Sequence, residues 1–327
     1  MAGILTLTRA LADPASVDGL DAGRWTALLT VARAEQLLGT LAHRLAGLPV
    51  PSAVARVLAD AQVRAAHERR TALWEAEMAR RALAGVDVPV VLLKGAAYAA
   101  AGLMAGQGRS IGDLDLLVPR DRLVEVEAAL LGQGWEWVKP DPYDDLYYRR
   151  WMHELPPLIH RERDRMADVH HTILPLTARP MPDAAALIAD SAPLGNGLRV
   201  LAPADMIVHA AAHLFADGDL SGGLRNLWDI RCLLAEFGDT GLDARARRHG
   251  LGPAVARAVR LVGLVFGEAR PMPADRPYFR RLLARDDWGR PSRPATRLGF
   301  YIRSHAIRMP PRKLLRHLWI KWRRDAA

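Results

Sequence analysis

With 327 residues, half of them apolar and a quarter charged, the chain has the make-up of one large or two smaller globular domains, which excludes a disordered, collagenous or coiled-coil protein. A single cysteine, Cys232, rules out an intramolecular disulfide and a Cys-only metal site, and its neighbours Leu227, Ile230, Leu233 and Leu234 predict a buried helical thiol. The formal net charge of +9 is uneven: from Arg297 to Ala327 nine basic residues face one acid, Asp325, so the remainder is nearly neutral and carries no broad basic surface.

From Asp21 to about Gly85 the pattern is helical. Trp25, Leu28, Leu29 and Ala32 recur at three- and four-residue spacing, and Pro51-Ser52 separates two such helices, so residues 1–85 read as an N-terminal helical region. The texture changes at Val86. Val88 to Leu93 is a short β-branched apolar run that ends at Lys94-Gly95, which predicts a buried strand, a turn and then a short Ala-rich helix. A second strand is predicted over Ile111 to Val118, closed by Pro119, and a helix over Asp121 to Leu131 that stops before Gly132 and Gly134. Trp135 to Val138 looks extended. Two more extended stretches, Trp151 to His160 and Met166 to Leu174, are joined by the charged turn Arg161 to Arg165 and form a hairpin candidate.

This order predicts an α+β fold: a small mixed β-sheet core over residues 86–175, flanked by the N-terminal helices and by a C-terminal helical region over 176–327 with a basic tail. No apolar run reaches the roughly 18 to 20 residues of a membrane-spanning helix, and Met1 to Arg9 lacks signal-peptide character, so a cytoplasmic location is expected.

The chemistry concentrates in Gly112-Asp113-Leu114-Asp115-Leu116. In a strand, side chains alternate, so Asp113 and Asp115 share a face, about 6 to 7 Å apart, while Leu114 and Leu116 point to the core. An Asp-x-Asp pair is common at strand ends, but two acids inside an apolar strand are costly without a positive partner. Asp168 lies in the later hairpin, where sheet pairing can bring it beside the first two. Three carboxylates suit Mg²⁺ or Mn²⁺, hard ions that complete their shells with water and phosphate, and such a site suits in-line phosphoryl or nucleotidyl displacement.

Leu92-Leu93-Lys94-Gly95-Ala96-Ala97, Arg109-Ser110-Ile111-Gly112-Asp113-Leu114-Asp115, Gly134-Trp135 and Asp168-Val169-His170 together resemble the nucleotidyltransferase superfamily that includes DNA polymerase beta. More narrowly they resemble a bacterial, largely uncharacterised branch with a Leu-Lys-Gly turn. The strong part of the likeness covers about residues 86–175. The resemblance implies that Asp113 and Asp115 hold two metal ions, and that Asp168 ligates the catalytic one and helps deprotonate the acceptor hydroxyl. It also implies that a nucleoside triphosphate (ATP or another) is attacked at its α-phosphate, releasing pyrophosphate. The superfamily's phosphate-gripping turn usually ends Gly-Ser or Gly-Gly, whereas here it is Lys94-Gly95. Gly95 still permits close approach, amides near Ala96 and Ala97 can meet an anion, and Lys94, one of only four lysines, adds a point charge. Lys94, Gly95, Arg109 and Ser110 are therefore the expected nucleotide-binding residues, with Arg109 equally suited to pairing an aspartate.

His209 and His213 share one helix face, but Ala210 follows the first, so no zinc-protease motif is present, and cleft-lining or packing histidines are expected. His170 and His171 follow Asp168 in the same extended stretch, His170 on its face. Asp205 is expected to cap the helix that Pro203 opens, and Arg225 to pair with Asp229. Arg312 to Arg324 forms a basic amphipathic stretch that suits packing, or a weak contact with a membrane surface or an anionic partner, while nothing favours nucleic acid. The acceptor, whether small molecule, peptide or protein, is not specified by these residues. The alternatives are a degenerate nucleotide-binding module, or a biosynthetic transferase that uses a phosphorylated or sugar donor on a peptide or glycan.

Overall fold

The computed structural model describes residues 2–308 apart from 217, 268, 270 and 271; the basic stretch from Arg312 to Arg324 lies outside them. Four helices open the chain: α1 (Ala2–Ala12), α2 (Ala22–Ala34), α3 (Leu38–Arg44) and α4 (Ser52–Ala82). Asp21 starts α2 by accepting the Arg24 N–H, and Trp25, Leu28, Val31 and Ala32 form its buried face. Pro51 precedes α4, as expected, but the first predicted helix is two, broken where Gln36 takes a positive φ of 57°.

The sheet follows. Its strands are β1 (Val90–Leu92), β2 (Leu114–Leu117), β3 (Trp135–Trp137), β4 (Leu158–His160), β5 (Met166–His170), β6 (Ala192–Pro193) and β7 (Leu198–Val200). Their spatial order is β3-β4-β5-β2-β1-β7-β6. β2 runs parallel to β5 and β1 parallel to β7, whereas β1–β2, β3–β4, β4–β5 and β6–β7 are antiparallel. The fold is thus α+β with one mixed sheet among helices. β1 and β2 are buried along their whole length, the placement that continuous runs of Val and Leu favour.

Helix α5 (Lys94–Ala100) leaves the end of β1, and α6 (Leu123–Gly132) joins β2 to β3, both as predicted. Between β3 and β4, residues Pro142–Trp151 form α7, and of the predicted extended stretches Trp151 to His160 and Met166 to Leu174 only Leu158–His160 and Met166–His170 are strands. Asp141 caps α7 by accepting the Tyr143 and Asp144 N–H groups, and Pro142 takes its first turn. The sheet does not end at residue 175, because β6 and β7 add two strands on the far side of β1.

The C-terminal helices are α8 (Ala184–Ala189), α9 (Pro203–Ala216), α10 (Gly223–Phe237), α11 (Leu242–Arg248), α12 (Gly252–Phe266), α13 (Arg276–Leu282) and α14 (Pro294–Arg308). Helices α9, α10 and α12 pack on one another, and α1 reaches α12, so the N-terminal and C-terminal helices among the described residues share one hydrophobic core with the sheet. Cys232 is buried in α10, and burial pushes its thiol up to about 12. No helix among the described residues is long and apolar enough to cross a membrane.

Asp205 lies within α9 rather than capping it. Its side chain is wholly buried, bonded to the Arg245 guanidinium through both oxygens and to His249, which ties α9 to α11. Asp205→Ala leaves Arg245 with Asp190 as its remaining acid and takes the carboxylate from the fully buried His249, so unfolding free energy should fall by about 2 kcal/mol. Urea denaturation measures this, and a loss under about 1 kcal/mol would mean that the pair contributes little.

Candidate active site

Asp115 and Asp168 stand directly opposite each other across the parallel β2–β5 pair. Asp113 lies one residue before β2, exposed at the mouth of the site. One carboxylate oxygen from each of Asp113, Asp115 and Asp168 lies within 4.8 Å of the others. The predicted convergence of the three acids is therefore a feature of the sheet register.

The two strand acids have opposite environments. Asp115, 2% exposed, accepts from Lys94 Nζ at 2.7 Å and from His170 Nε2 at 3.0 Å. Burial pushes its carboxyl up, but the Lys94 charge and the His170 hydrogen bond outweigh it and hold the group well below the usual carboxylate range. Asp168 has no such support: its Oδ1 is buried without a hydrogen-bond partner. Burial first, then the charges of Asp115 and Glu154, push its carboxyl up to about 7. A bare buried oxygen beside another carboxylate is an arrangement that a protein seldom keeps for itself. The all-oxygen donor set is the kind that hard divalent cations take.

Of the two roles expected of Arg109, the structure shows the ion pair: its Nε lies 3.1 Å from Asp229 Oδ2, its Nη2 also pairs with Asp229, and its Nη1 donates to the Ser110 carbonyl at 3.2 Å, while the residue lines the cleft. Arg109, not Arg225, holds Asp229. The room for that pair comes from Gly95, because a methyl group there would run into the Arg109 guanidinium. Lys94 pairs with Asp115 and adopts a φ of +48°, a region that non-glycine residues rarely occupy and that marks sites held by their surroundings.

A cleft lies above these groups, between the β1–α5 turn, the residues leading into β2, and helices α9 and α10. Its walls include Lys94, Gly95, Ser110, Asp113, Asp115, His213, Arg225 and Asn226. His213 faces it, bonded to Asn226 at 3.1 Å, and burial with the Lys94 charge takes its imidazole down to about 3. His209 lies buried one turn earlier on α9. Both histidines thus fill the expected cleft and packing roles.

The model of the uncharacterised nucleotidyltransferase family matches residues 21–267. The chain belongs to that family. No curated protein and no solved structure matches it. The family match spans the helices as well as the sheet, and α9 and α10 form one wall of the cleft.

Three neighbours of the acids carry no sequence cue as strong as the Asp-x-Asp strand. Arg225 reaches Gln36 Oε1 at 2.6 Å with Nη1, while its Nε is buried without a hydrogen-bond partner. His153 and Glu154 pair backbone with β5 next to Asp168. Their only signal is a His-Glu pair ahead of the hairpin.

The strained Asp168 carboxyl has a pH signature. Its folded pKa of about 7 is raised from 3.8, so its contribution to stability is complete below about pH 4 and is lost as pH rises through 7. In chelator-treated protein, Asp168→Asn should therefore be more stable than the parent by roughly 2 kcal/mol at pH 8, with little difference near pH 4. A flat difference in Tm across that range would show an unstrained carboxyl.

Proposed function

We propose that this protein transfers a nucleoside monophosphate from a nucleoside triphosphate to an acceptor hydroxyl and releases pyrophosphate. The observation that carries the reading is the bare, buried oxygen of Asp168 set opposite Asp115, with Asp113 at the mouth. Asp113, Asp115 and Asp168 would hold Mg²⁺ or Mn²⁺, which when bound would offset phosphate charge during an in-line displacement.

The protein's own groups supply the rest. Asp168, set beside the ion it would hold, is the residue suited to orient the acceptor hydroxyl and take its proton. The acceptor oxygen then bonds to the α-phosphorus as the bond to the β-phosphate oxygen breaks, and pyrophosphate leaves with that electron pair. Lys94 and Arg225, both on the cleft wall, bring positive charge to the phosphates. His213 and Asn226 offer polar contacts for the sugar or base. Lys94 also keeps Asp115 ionised and oriented through their 2.7 Å contact.

Two ion pairs favour a second reading, a nucleotide-binding module without turnover: the Lys94 ammonium already neutralises Asp115, and Asp229 engages Arg109. The two readings separate in an assay with α-labelled triphosphates, Mg²⁺ or Mn²⁺ and a panel of acceptors. Transfer with pyrophosphate release is expected. Asp113→Ala, an exposed position that should not disturb folding, should lower the rate at least about 100-fold, close to 3 kcal/mol of transition-state stabilisation. Full activity in that variant would refute the proposal, and nucleotide binding without pyrophosphate release would select the second reading.

A further inference from the structure

Behind the carboxylates lies a second group of donors with different chemistry. His153, Glu154 and His170 each offer one ligand atom, all within 4.8 Å of one another. Glu154 Oε2 lies 3.5 Å from His170 Nδ1 and 3.8 Å from His153 Nε2. These distances are too long for hydrogen bonds, yet close to the roughly 3.4 Å that separates two ligands of a tetrahedral ion with bonds of about 2.0 to 2.2 Å.

The surroundings of His170 strengthen the case. Its Nε2 lies 3.0 Å from Asp115 Oδ1 and its Nδ1 faces Glu154 Oε2 at 3.5 Å. Nδ1 is buried without a hydrogen-bond partner in a residue only 2% exposed. A carboxylate that accepts from one ring nitrogen while the other faces a carboxylate and a second imidazole is the supporting arrangement of metal-bound histidines. The three residues are also held in place by backbone pairing: the His171 N–H bonds the His153 carbonyl at 2.8 Å and the Leu155 N–H bonds the Val169 carbonyl at 2.9 Å.

We propose that His153, Glu154 and His170 form a second divalent-metal site, distinct from the aspartates, that takes a borderline transition ion such as Zn²⁺. Two imidazoles and one carboxylate suit such an ion far better than Mg²⁺, which prefers oxygen. The side chains of His153 and Glu154 are 21% and 16% exposed, which leaves an entry path, and three protein ligands leave a fourth position for water. An ion there clamps the His153–Glu154 segment against β5 and fixes the His170 ring that contacts Asp115. The site does not depend on nucleotide transfer and stands even if no triphosphate is used.

The test uses the full chain, stripped with a chelator and titrated with Co²⁺ alone as a visible-absorbing probe, then with Zn²⁺ as competitor. One Co²⁺ is expected to bind with a tetrahedral-type visible band that Zn²⁺ abolishes. His153→Ala, at a partly exposed position, should weaken Co²⁺ at least about tenfold, the loss that removal of even an outer partner causes, and Glu154→Gln should act likewise. Asp168→Asn should keep the tetrahedral-type band of the parent, since any Co²⁺ on the all-oxygen aspartate site gives no such band. The proposal is overturned by the absence of a Co²⁺ band in the parent, by unchanged affinity in His153→Ala, or by loss of the band in Asp168→Asn, which would place the ion among the aspartates. Far-UV circular dichroism of each variant separates loss of the site from loss of the fold.

Discussion

The parallel pairing of β2 with β5 places two carboxylates side by side in a buried sheet, and the surroundings answer that repulsion. Asp115 is compensated by a lysine and a histidine, whereas Asp168 has a buried oxygen with no hydrogen-bond partner. A slip of one residue would turn the acids to opposite faces, and burial of β2 along its length opposes any slip, because Leu114 and Leu116 would lose their places in the core. The register that stabilises the sheet therefore also assembles the acids.

Much of this was legible because it rests on local pattern. The apolar run at Val90–Leu92, the acids within a leucine-rich strand, the charged turn at 161–165 and the helix after Lys94 each leave a period or a punctuation mark in the chain. Asp168 could be assigned because its segment read as a strand in a hairpin. Other features depend on distant partners. Arg225 stands four residues before Asp229 and looked like its mate, yet Arg109 holds that carboxylate from the far side of the cleft. The break between α2 and α3 falls at Gln36, with no Pro or Gly to mark it. Helix α7 is signalled only by Asp141-Pro142 at its start, and β6 and β7 are too short to leave a period.

The Arg109–Asp229 pair gives the C-terminal helices a part in the site. Both residues are buried, and their contact anchors the loop before β2 to α10, so the residues that lead into Asp113 are fixed by a helix more than a hundred positions later in the chain. Such a pair stabilises little by itself once desolvation is counted, but removing either partner is costly. Gly95, which a nucleotide-binding turn would use for backbone approach, here leaves space for the guanidinium. The turn after β1 thus serves the architecture of the cleft wall as much as any ligand.

The two short strands beyond residue 175 have a bearing on how the chain can be divided. Val90, Val91 and Leu92 pair on one side with β2 and on the other with Leu198, Arg199 and Val200. Cutting the polypeptide after the hairpin would strip β1 of its outer neighbour and leave an apolar row of unpaired amides and carbonyls open to any passing strand. A fragment holding all three aspartates would then be prone to self-association, and the smallest autonomous unit must include the return of the chain to the sheet's far edge.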